Sequence, residues 1–419
     1  MTEPNADDLV EVDDVALMLE PRDGMPPVVE DAEALAKAVE RLGSGAGPIA
    51  IDAERASGYR YGQRAYLVQL RRVGGGTVLV DPIACPDLTA LAEVLKEPEW
   101  VVHAASQDLT CLADIGLHPT SLFDTELAGR LLGYPRVALG TLVEEVLGFR
   151  LEKGHAAVDW STRPLPRDWV RYAALDVELL LELRDALDAE LRDADKREWA
   201  AEEFAALVAA PPTAPREDPW RRTSGLHRVR KPRQLAVVRE LWETRDRIAE
   251  RRDIAPGRVL PDAAIVEAAL ALPDTVEELG SVPGFGGRAT KRHVGTWFKA
   301  VEAGRAARRL PSLTRPGNGP PPPRSWASRD AAAAARLAAS REAVLAIAAE
   351  HRVPAENLIA PDLVRRLTWE PPREITEVTV AAALVAGGAR AWQVALTVPA
   401  LTASLLVGPP APDADAGKS

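Results

Sequence analysis

Cysteine is nearly absent from this chain of 419 residues, in which only Cys85 and Cys111 occur and no C-x-x-C pair is found. This scarcity argues against a disulfide framework and a zinc site, and a reducing, cytoplasmic setting is the simplest interpretation. No run approaches about 18 apolar residues, so we expect no transmembrane helix and no membrane partner. The acidic start lacks a basic segment followed by an apolar run, so we expect no signal peptide. No G-x-G-x-x-G follows a strand-like run, which removes a dinucleotide-binding function.

The charge of the chain is unevenly distributed. Its formal net charge of −11 disfavours a nucleic-acid partner at first sight. However, the segment Ala214–Arg233 contains seven Lys and Arg residues against two acids. Net charge therefore does not exclude a polyanionic partner.

The order of apolar patterns predicts an α/β domain of roughly 200 residues at the start of the chain. Helical spacing is found at Asp31–Leu42, Asp87–Leu95 and Ser106–Ile115, and helical patterns dominate from there to Glu203. The strand-like runs are Ile49–Asp52, Ala65–Arg71, Thr77–Val80 and Trp100–Ala104.

Two proline-rich breaks divide the rest of the chain into helical segments. Arg252–Asp262 (RDIAPGRVLPD) and His351–Asp362 (HRVPAENLIAPD) share one order of apolar and proline positions, which indicates a degenerate repeat. The predicted units are a flexible lead-in (1–27), the α/β domain (28–208), a linker (209–229), a helical domain (230–309), a proline-rich linker (310–326), a second helical domain (327–408) and a tail (409–419).

Asp52 and Glu54 follow the apolar run Ile49–Ile51. Alternate residues of a strand project from one face, so the two carboxylates point together. Divalent cations such as Mg²⁺ take carboxylate oxygens as ligands. D-x-E is a weak signal by itself, and a pair of solvated acids at a strand end is the competing interpretation.

Further acids strengthen the metal-site interpretation. Asp108 lies in the first turns of a helix after an apolar strand. Tyr172 and Asp176 are spaced i, i+4 and share one helical face. Beside them runs an apolar stripe that can pack inward, made of Leu175, Leu179, Leu180 and Leu183.

The residues Asp52-Ala53-Glu54, Asp108 after His103-Ala104, and Tyr172-x-x-x-Asp176 resemble the three exonuclease motifs of the DEDD superfamily in its tyrosine subtype. The segments Tyr66–Leu70, Leu122–Thr125 and Asp159–Leu165 bring the likeness closest to the ribonuclease D family, over about residues 28–310. The resemblance implies a multidomain protein. Its parts would be an α/β ribonuclease H-like exonuclease domain with a mixed sheet, then two all-α domains of the HRDC type.

The resemblance also implies an activity, 3′–5′ exoribonucleolytic cleavage of structured RNA such as tRNA precursors. Two divalent ions, Mg²⁺ or Mn²⁺, would activate the attacking water and stabilise the leaving oxygen. The implied ligands are Asp52, Glu54, Asp108 and Asp176, and Tyr172 would orient the attacking water. A DNA exonuclease on the same fold and a catalytically decayed nucleic-acid adaptor are the alternatives. We expect a monomer.

The first motif departs from the family, which often has Thr and Phe where this chain has Ala53 and Arg55. These changes affect the grip on substrate more than the metal site, and Arg55 can stack on a base or contact a phosphate. The other residues expected to contact nucleic acid are Gln69, Lys153, Arg230, Lys231, Arg288, Lys291 and Arg292. For Lys153, a solvated lysine that binds nothing is an equally good interpretation. For the turn before Arg288, a purely structural role is an equally good interpretation.

Three further polar residues lie near these motifs. Asp124 is interpreted as a helix N-cap rather than a fifth catalytic acid. His103 is expected to hydrogen-bond locally. His155 lies in a stretch that resembles a ribonuclease D loop near the substrate.

Overall fold

A computed structural model describes residues 16–152, 154–155, 157–211, 216–314 and 319–407, without the side chains of residues 288 and 289. Within these ranges the strands are β1 (Ala16–Met18), β2 (Val28–Val29), β3 (Ala46–Arg55), β4 (Ala65–Val73), β5 (Gly76–Val80), β6 (Trp100–Val102), β7 (Leu122–Asp124) and β8 (Phe149–Leu151). The helices that accompany them are α1 (Ala32–Ser44), α2 (Thr89–Val94), α3 (Leu109–Ala113), α4 (Thr125–Leu132), α5 (Leu139–Leu142), α6 (Arg167–Glu178), α7 (Leu180–Asp193) and α8 (Arg197–Ala209).

The main sheet has the order β2-β5-β4-β3-β6-β7. β3 pairs antiparallel with β4 and β4 antiparallel with β5, whereas β2, β6 and β7 pair with their neighbours in parallel. The sheet is therefore mixed, as predicted, and has the ribonuclease H-like arrangement. The long central strand β3 is flanked by strands on both sides, and its residues Ile49, Ala50 and Ile51 are fully buried.

β7 and β8 lie in a region where the sequence patterns predicted mainly helices. All three residues of β7 are buried, including Asp124. A short strand that is covered on both faces has no alternation of apolar and polar residues, so the signal of period two is lacking. β7 was missed for that reason, whereas the prediction that helices dominate the region up to Glu203 is confirmed by α4 to α8.

The expected flexible lead-in is ordered in the part that the structure describes. β1 pairs in parallel with β8. Arg22 forms an ion pair with Glu178, whose side chain is fully buried, and Arg71 contacts the other oxygen of that carboxylate at 3.2 Å. The strand pairing and the Arg22 ion pair attach residues 16–22 to β8 and α6. Residues 1–15 and the predicted tail (409–419) lie outside the described residues.

The two helical domains share the order of a long helix, a short helix and then further helices, in agreement with the predicted repeat. The first contains α9 (Pro232–Arg252), α10 (Pro256–Val259), α11 (Asp262–Ala271), α12 (Val276–Ser281), α13 (Arg288–Arg292) and α14 (Val294–Ala306). The second contains α15 (Trp326–Arg329), α16 (Ala331–Glu350), α17 (Ala355–Leu358), α18 (Pro361–Trp369), α19 (Glu377–Ala386) and α20 (Ala391–Leu405). In each, a long helix is followed by a residue with positive φ, Asp253 (48°) or Arg352 (50°), and then by a short helix.

Parts of both predicted linkers pack into the helical domains. Trp220 is 3% exposed within the core of the first helical domain, and the backbone N–H of Ser224 donates to Asp262 of α11. Trp326 is fully buried against the second. The tryptophans draw the ends of the linkers into the folded units because burying an indole removes a large apolar surface from water.

The second helical domain packs on the exonuclease domain, with which it shares a hydrophobic core. The rings of Trp199 and Trp392 stack with centroids 4.9 Å apart. The ammonium group of Lys196 donates to the backbone carbonyls of Leu131 and His351 and so connects the two domains. Among the described residues, none of the helices combines the length and the apolar character needed to cross a bilayer.

Candidate active site

Asp52 and Glu54 project from one face of β3, near its end. Their neighbours Ile51 and Ala53 project from the other face into the main hydrophobic core. In register, Asp52 lies opposite Gln69 of β4. The alternation of β3 therefore holds two carboxylates side by side on a rigid central strand.

Helix α6 brings a third carboxylate to this pair. Tyr172 and Asp176 lie on one face of α6, and the leucine stripe beside them is buried as predicted, with at most 2% exposure of Leu175, Leu179, Leu180 and Leu183. Carboxylate oxygens of Asp52, Glu54 and Asp176 all lie within 4.8 Å of one another. The hydroxyl of Tyr172 interacts with the carboxylate of Asp176.

Asp108 stands next to this cluster but is turned toward a cation. It lies between a 3₁₀ turn (Ala105–Gln107) and α3. Its carboxylate is 3.2 Å from the guanidinium of Arg55. The structure thus brings three of the four predicted acids within ligand distance of one another, whereas the fourth is paired with Arg55.

Two features place Arg55 and Asp108 together. The register of the β3–β4 pairing shifts between Glu54 and Arg55. The strict alternation of side chains between the two faces of β3 therefore ends at Arg55. On the other side, Asp124 accepts hydrogen bonds from the backbone N–H groups of Ala104 and Ala105 and supports the turn that leads to Asp108.

Asp124 also accepts from the N–H groups of Glu126 and Leu127, so the predicted helix N-cap is confirmed. His103 lies 2.9 Å from the hydroxyl of Thr125, which confirms a local hydrogen bond. Burial lowers the pKa of this histidine to about 4. Both residues therefore have structural functions at the start of α4.

The carboxylates carry an excess of negative charge in a poorly hydrated place. Burial, followed by the charges of Asp52, Asp176 and Asp108, raises the pKa of Glu54 to about 10. Burial and Asp52 raise the pKa of Asp108 to about 8, against the opposing effect of Arg55. Burial likewise raises the pKa of Asp52 and of Asp176. Clustered acids that lose hydration are stabilised by added cations, so this donor set fits divalent metal ions.

Tyr172 stays protonated in these surroundings. Burial and the neighbouring acids, Asp176 first, raise the pKa of its hydroxyl well above the ordinary value. The ring of His155 lies edge-on to that of Tyr172, with centroids 5.8 Å apart. Tyr172 is therefore equipped to donate a hydrogen bond rather than to accept a proton.

A pocket of about 260 Å³ opens beside the acids. Besides Glu54 and Arg55, it is lined by Ala53, Ser57, Gly58, Ala157 and Val158. Most of this lining was not predicted from the sequence. The small residues after Arg55 hinted at an open wall, but Ala157 and Val158 carry no local signal because long-range folding brings them there.

The residues expected to contact nucleic acid occupy three different settings. The prediction that Gln69 contacts nucleic acid was wrong. Its side chain is fully buried beneath the site, and its amide lies 3.5 Å from the Glu54 carboxylate. It supports a candidate ligand and has no surface to offer to a nucleic acid. The exposed cations, which remain candidates on the first helical domain, are Arg230, Lys231, Lys291 and Arg292. Lys153 and the side chain of Arg288 lie outside the described residues.

The mixed sheet, the acidic cluster and the two helical domains define a 3′–5′ exonuclease. Residues 26–192 match the family model of the 3′-5′ exonuclease domain, residues 234–301 that of the HRDC domain, and residues 319–405 that of the 3′ to 5′ exonuclease C-terminal domain.

Individual relatives identify the family. The chain is 32% identical over 361 residues to ribonuclease D of Gluconacetobacter diazotrophicus, covering 84% of this chain and 88% of that protein. It is 37% identical over 243 residues to ribonuclease D of Nitrobacter hamburgensis, covering 55% of this chain and 61% of that protein. The chain belongs to the ribonuclease D family.

Solved structures agree with this assignment. A protein from Bifidobacterium adolescentis superimposes with a TM-score of 0.84 at 36% identity, covering 93% of this chain and 99% of that one. Escherichia coli RNase D, an exoribonuclease involved in structured RNA processing, superimposes with a TM-score of 0.67 at 26% identity, covering 90% of this chain and 98% of that one. The chain is an enzyme of the 3′–5′ exoribonuclease class.

Proposed function

We propose that the protein removes 3′-terminal nucleotides from structured RNA, such as tRNA precursors, by two-metal hydrolysis of the phosphodiester. The observation that carries this proposal is the cluster of Asp52, Glu54 and Asp176, whose carboxylate oxygens lie within 4.8 Å of one another on a central strand and a packed helix. The enzyme works as a monomer in the cytoplasm, and its site is of the tyrosine subtype.

The four acids would hold two divalent ions, Mg²⁺ or Mn²⁺. Asp52, Glu54 and Asp176 form the part of the site that is already assembled, and Asp108 joins it when Arg55 releases its carboxylate. When bound, the ions supply an activated water and stabilise the leaving oxygen. Tyr172 would orient the attacking water through its hydroxyl group, which stays protonated beside Asp176.

The chain also supplies contacts to the substrate. The pocket beside the acids receives the terminal nucleotide. Arg55 lines this pocket, and its guanidinium binds a phosphate or a base. The exposed cations of the first helical domain attract the RNA backbone farther from the cut. Such contacts weaken steeply as salt is raised.

Cleavage of end-labelled RNA and DNA by the purified chain, with Mn²⁺ or with EDTA, tests the proposal. We expect mononucleotides to be released from the 3′ end of RNA only when metal is present. Asp52→Ala and Asp176→Ala should abolish release while the circular dichroism spectrum and unfolding midpoint are kept. Preferential digestion of DNA would make the protein a DNA exonuclease, and binding of RNA without cleavage would make it a decayed adaptor. Either result refutes the proposal.

A further inference from the structure

The loop between β3 and β4, residues 56–64, forms one wall of the catalytic pocket, and we call it the rim loop. Ser57 and Gly58 of this loop line the pocket next to Arg55. The opposite wall is formed by Ala157 and Val158. The shape of the pocket therefore depends on where the rim loop is held.

The outer side of the rim loop is held by the first helical domain. The guanidinium of Arg258 lies over the ring of Tyr59, 4.1 Å from its centroid, and its Nε donates to the backbone carbonyl of Gly58 at 2.8 Å. The backbone N–H of Ala255 donates to the carbonyl of Tyr59 at 2.9 Å. A planar guanidinium can stack on the ring while it donates in its own plane to the carbonyl, and an ammonium group does not reproduce this geometry.

The neighbouring residues of the rim loop reinforce this contact. The hydroxyl of Tyr61 donates to Asp246 of α9 at 3.0 Å. The backbone N–H of Tyr61 donates to Asp253 at 3.3 Å, and the guanidinium of Arg60 lies 3.8 Å from the same carboxylate. Three consecutive residues of the loop thus contact the helical domain.

The same residues also connect the two walls of the pocket. The hydroxyl of Tyr59 reaches the backbone carbonyl of Ala157 at 3.5 Å. The Nε of Arg60 donates to the hydroxyl of Ser161 at 2.7 Å. A displacement of the helical domain is therefore transmitted to both walls of the pocket.

We propose that Tyr59 and Arg258 are positioning residues for the exonuclease reaction, through which the docked helical domain sets the width of the catalytic pocket. This inference rests on the proposed active site, since it concerns the pocket beside those acids. It assigns the first helical domain a function in addition to gripping RNA. Contact with this domain completes the site at which a single nucleotide is cleaved off.

The test compares a dinucleotide with a long structured RNA. A dinucleotide is the shortest RNA that contains a phosphodiester to cleave, and it minimises contact with the helical domain. We expect Arg258→Ala to lower kcat/KM for the dinucleotide about tenfold, since it removes both a cation–π contact and a hydrogen bond. Arg258→Lys should recover only part of this loss. If the dinucleotide is cleaved as by the wild type while only the long RNA is affected, the domain is a grip alone and the proposal is wrong.

Two controls separate positioning from loss of stability. Arg228→Ala removes an exposed arginine that precedes α9 and pairs with Glu267 of α11 rather than with the rim loop, and it should leave dinucleotide cleavage unchanged. Hydrogen exchange of the backbone amides of residues 57–63 should be faster in Arg258→Ala than in the wild type and Arg228→Ala. Unchanged exchange would overturn the proposal.

A double-mutant comparison tests the pair itself. If Tyr59 and Arg258 act together, the variant that carries both alanines should cleave the dinucleotide no more slowly than the slower of the two single variants. Independent, multiplicative losses would refute a shared function. Asp176→Ala must abolish cleavage of both substrates; if it does not, the assigned active site is wrong, and this outcome is distinct from failure of the positioning contact alone.

Discussion

Arg55 is expected to weaken metal binding in the free enzyme, because its guanidinium forms an ion pair with the Asp108 carboxylate that a metal ion must break. Above about pH 8, where the Asp108 carboxyl is ionised, two unit charges 3.2 Å apart attract each other by about 5 kcal/mol at an effective dielectric constant of about 20. The Arg55 side chain is 26% exposed, so renewed hydration returns most of that energy when the pair separates. A net cost of about 1–2 kcal/mol remains, which corresponds to roughly 5- to 30-fold in affinity.

The assay is a calorimetric titration of metal-free protein with Mn²⁺ at a pH above about 8, where the Asp108 carboxyl is ionised. Arg55→Ala should bind its weaker ion about tenfold more tightly than the wild type, while its KM for RNA rises because the pocket loses a cation. Arg55→Lys should bind Mn²⁺ much as the wild type does. Arg192→Ala, which removes an exposed arginine paired with Asp188 on α7, serves as the matched control.

Opposite changes in metal affinity and RNA affinity are the signature of this competition. A metal affinity of Arg55→Ala equal to or below that of the wild type would refute the reasoning. It would show that the ion pair with Asp108 does not compete with the cation. A fall in both affinities would instead indicate that Arg55 supports the acids structurally.

Three further predictions concern the acids, the tyrosine and the domain contact. The pKa of Glu54 is raised to about 10 in the folded protein, so the native state binds more protons than the unfolded state. Metal-free protein should therefore lose stability in urea as the pH rises from about 5 to 9, and Glu54→Gln should flatten this slope. Tyr172→Phe should lower kcat roughly 10- to 100-fold with an unchanged Mn²⁺ titration, and a lost titration would contradict a water-orienting function. Trp392→Ala removes the stack on Trp199 and should cost about 3 kcal/mol of unfolding free energy; a cost below about 0.5 kcal/mol would show that the two domains dock weakly.

The candidate catalytic residues were accessible from the sequence because local geometry determines how they are presented. Alternation along β3 puts Asp52 and Glu54 on one face, and the i, i+4 spacing on α6 does the same for Tyr172 and Asp176. The N-cap function of Asp124 is also local, since it depends on hydrogen bonds to N–H groups two and three residues ahead. Such features need only the period of a helix or strand.

Features that depend on distant parts of the chain were not accessible in this way. Nothing local distinguishes β7 from a helix, because burial on both faces removes its alternation. The burial of Gln69 depends on its place in the middle of the sheet. The ordering of the lead-in depends on Arg22 meeting Glu178, 156 residues farther along the chain.

The sequence alone determined which residues carry charge at the site, since strand and helix periodicity specify the direction of each side chain. Only the tertiary structure decided what that charge is paired with. Arg55 reaches Asp108 because the β3–β4 register shifts after Glu54, and Arg258 reaches Tyr59 because a separate domain folds against the rim loop. Both contacts join segments whose proximity depends on packing of the whole chain, and no local period encodes it.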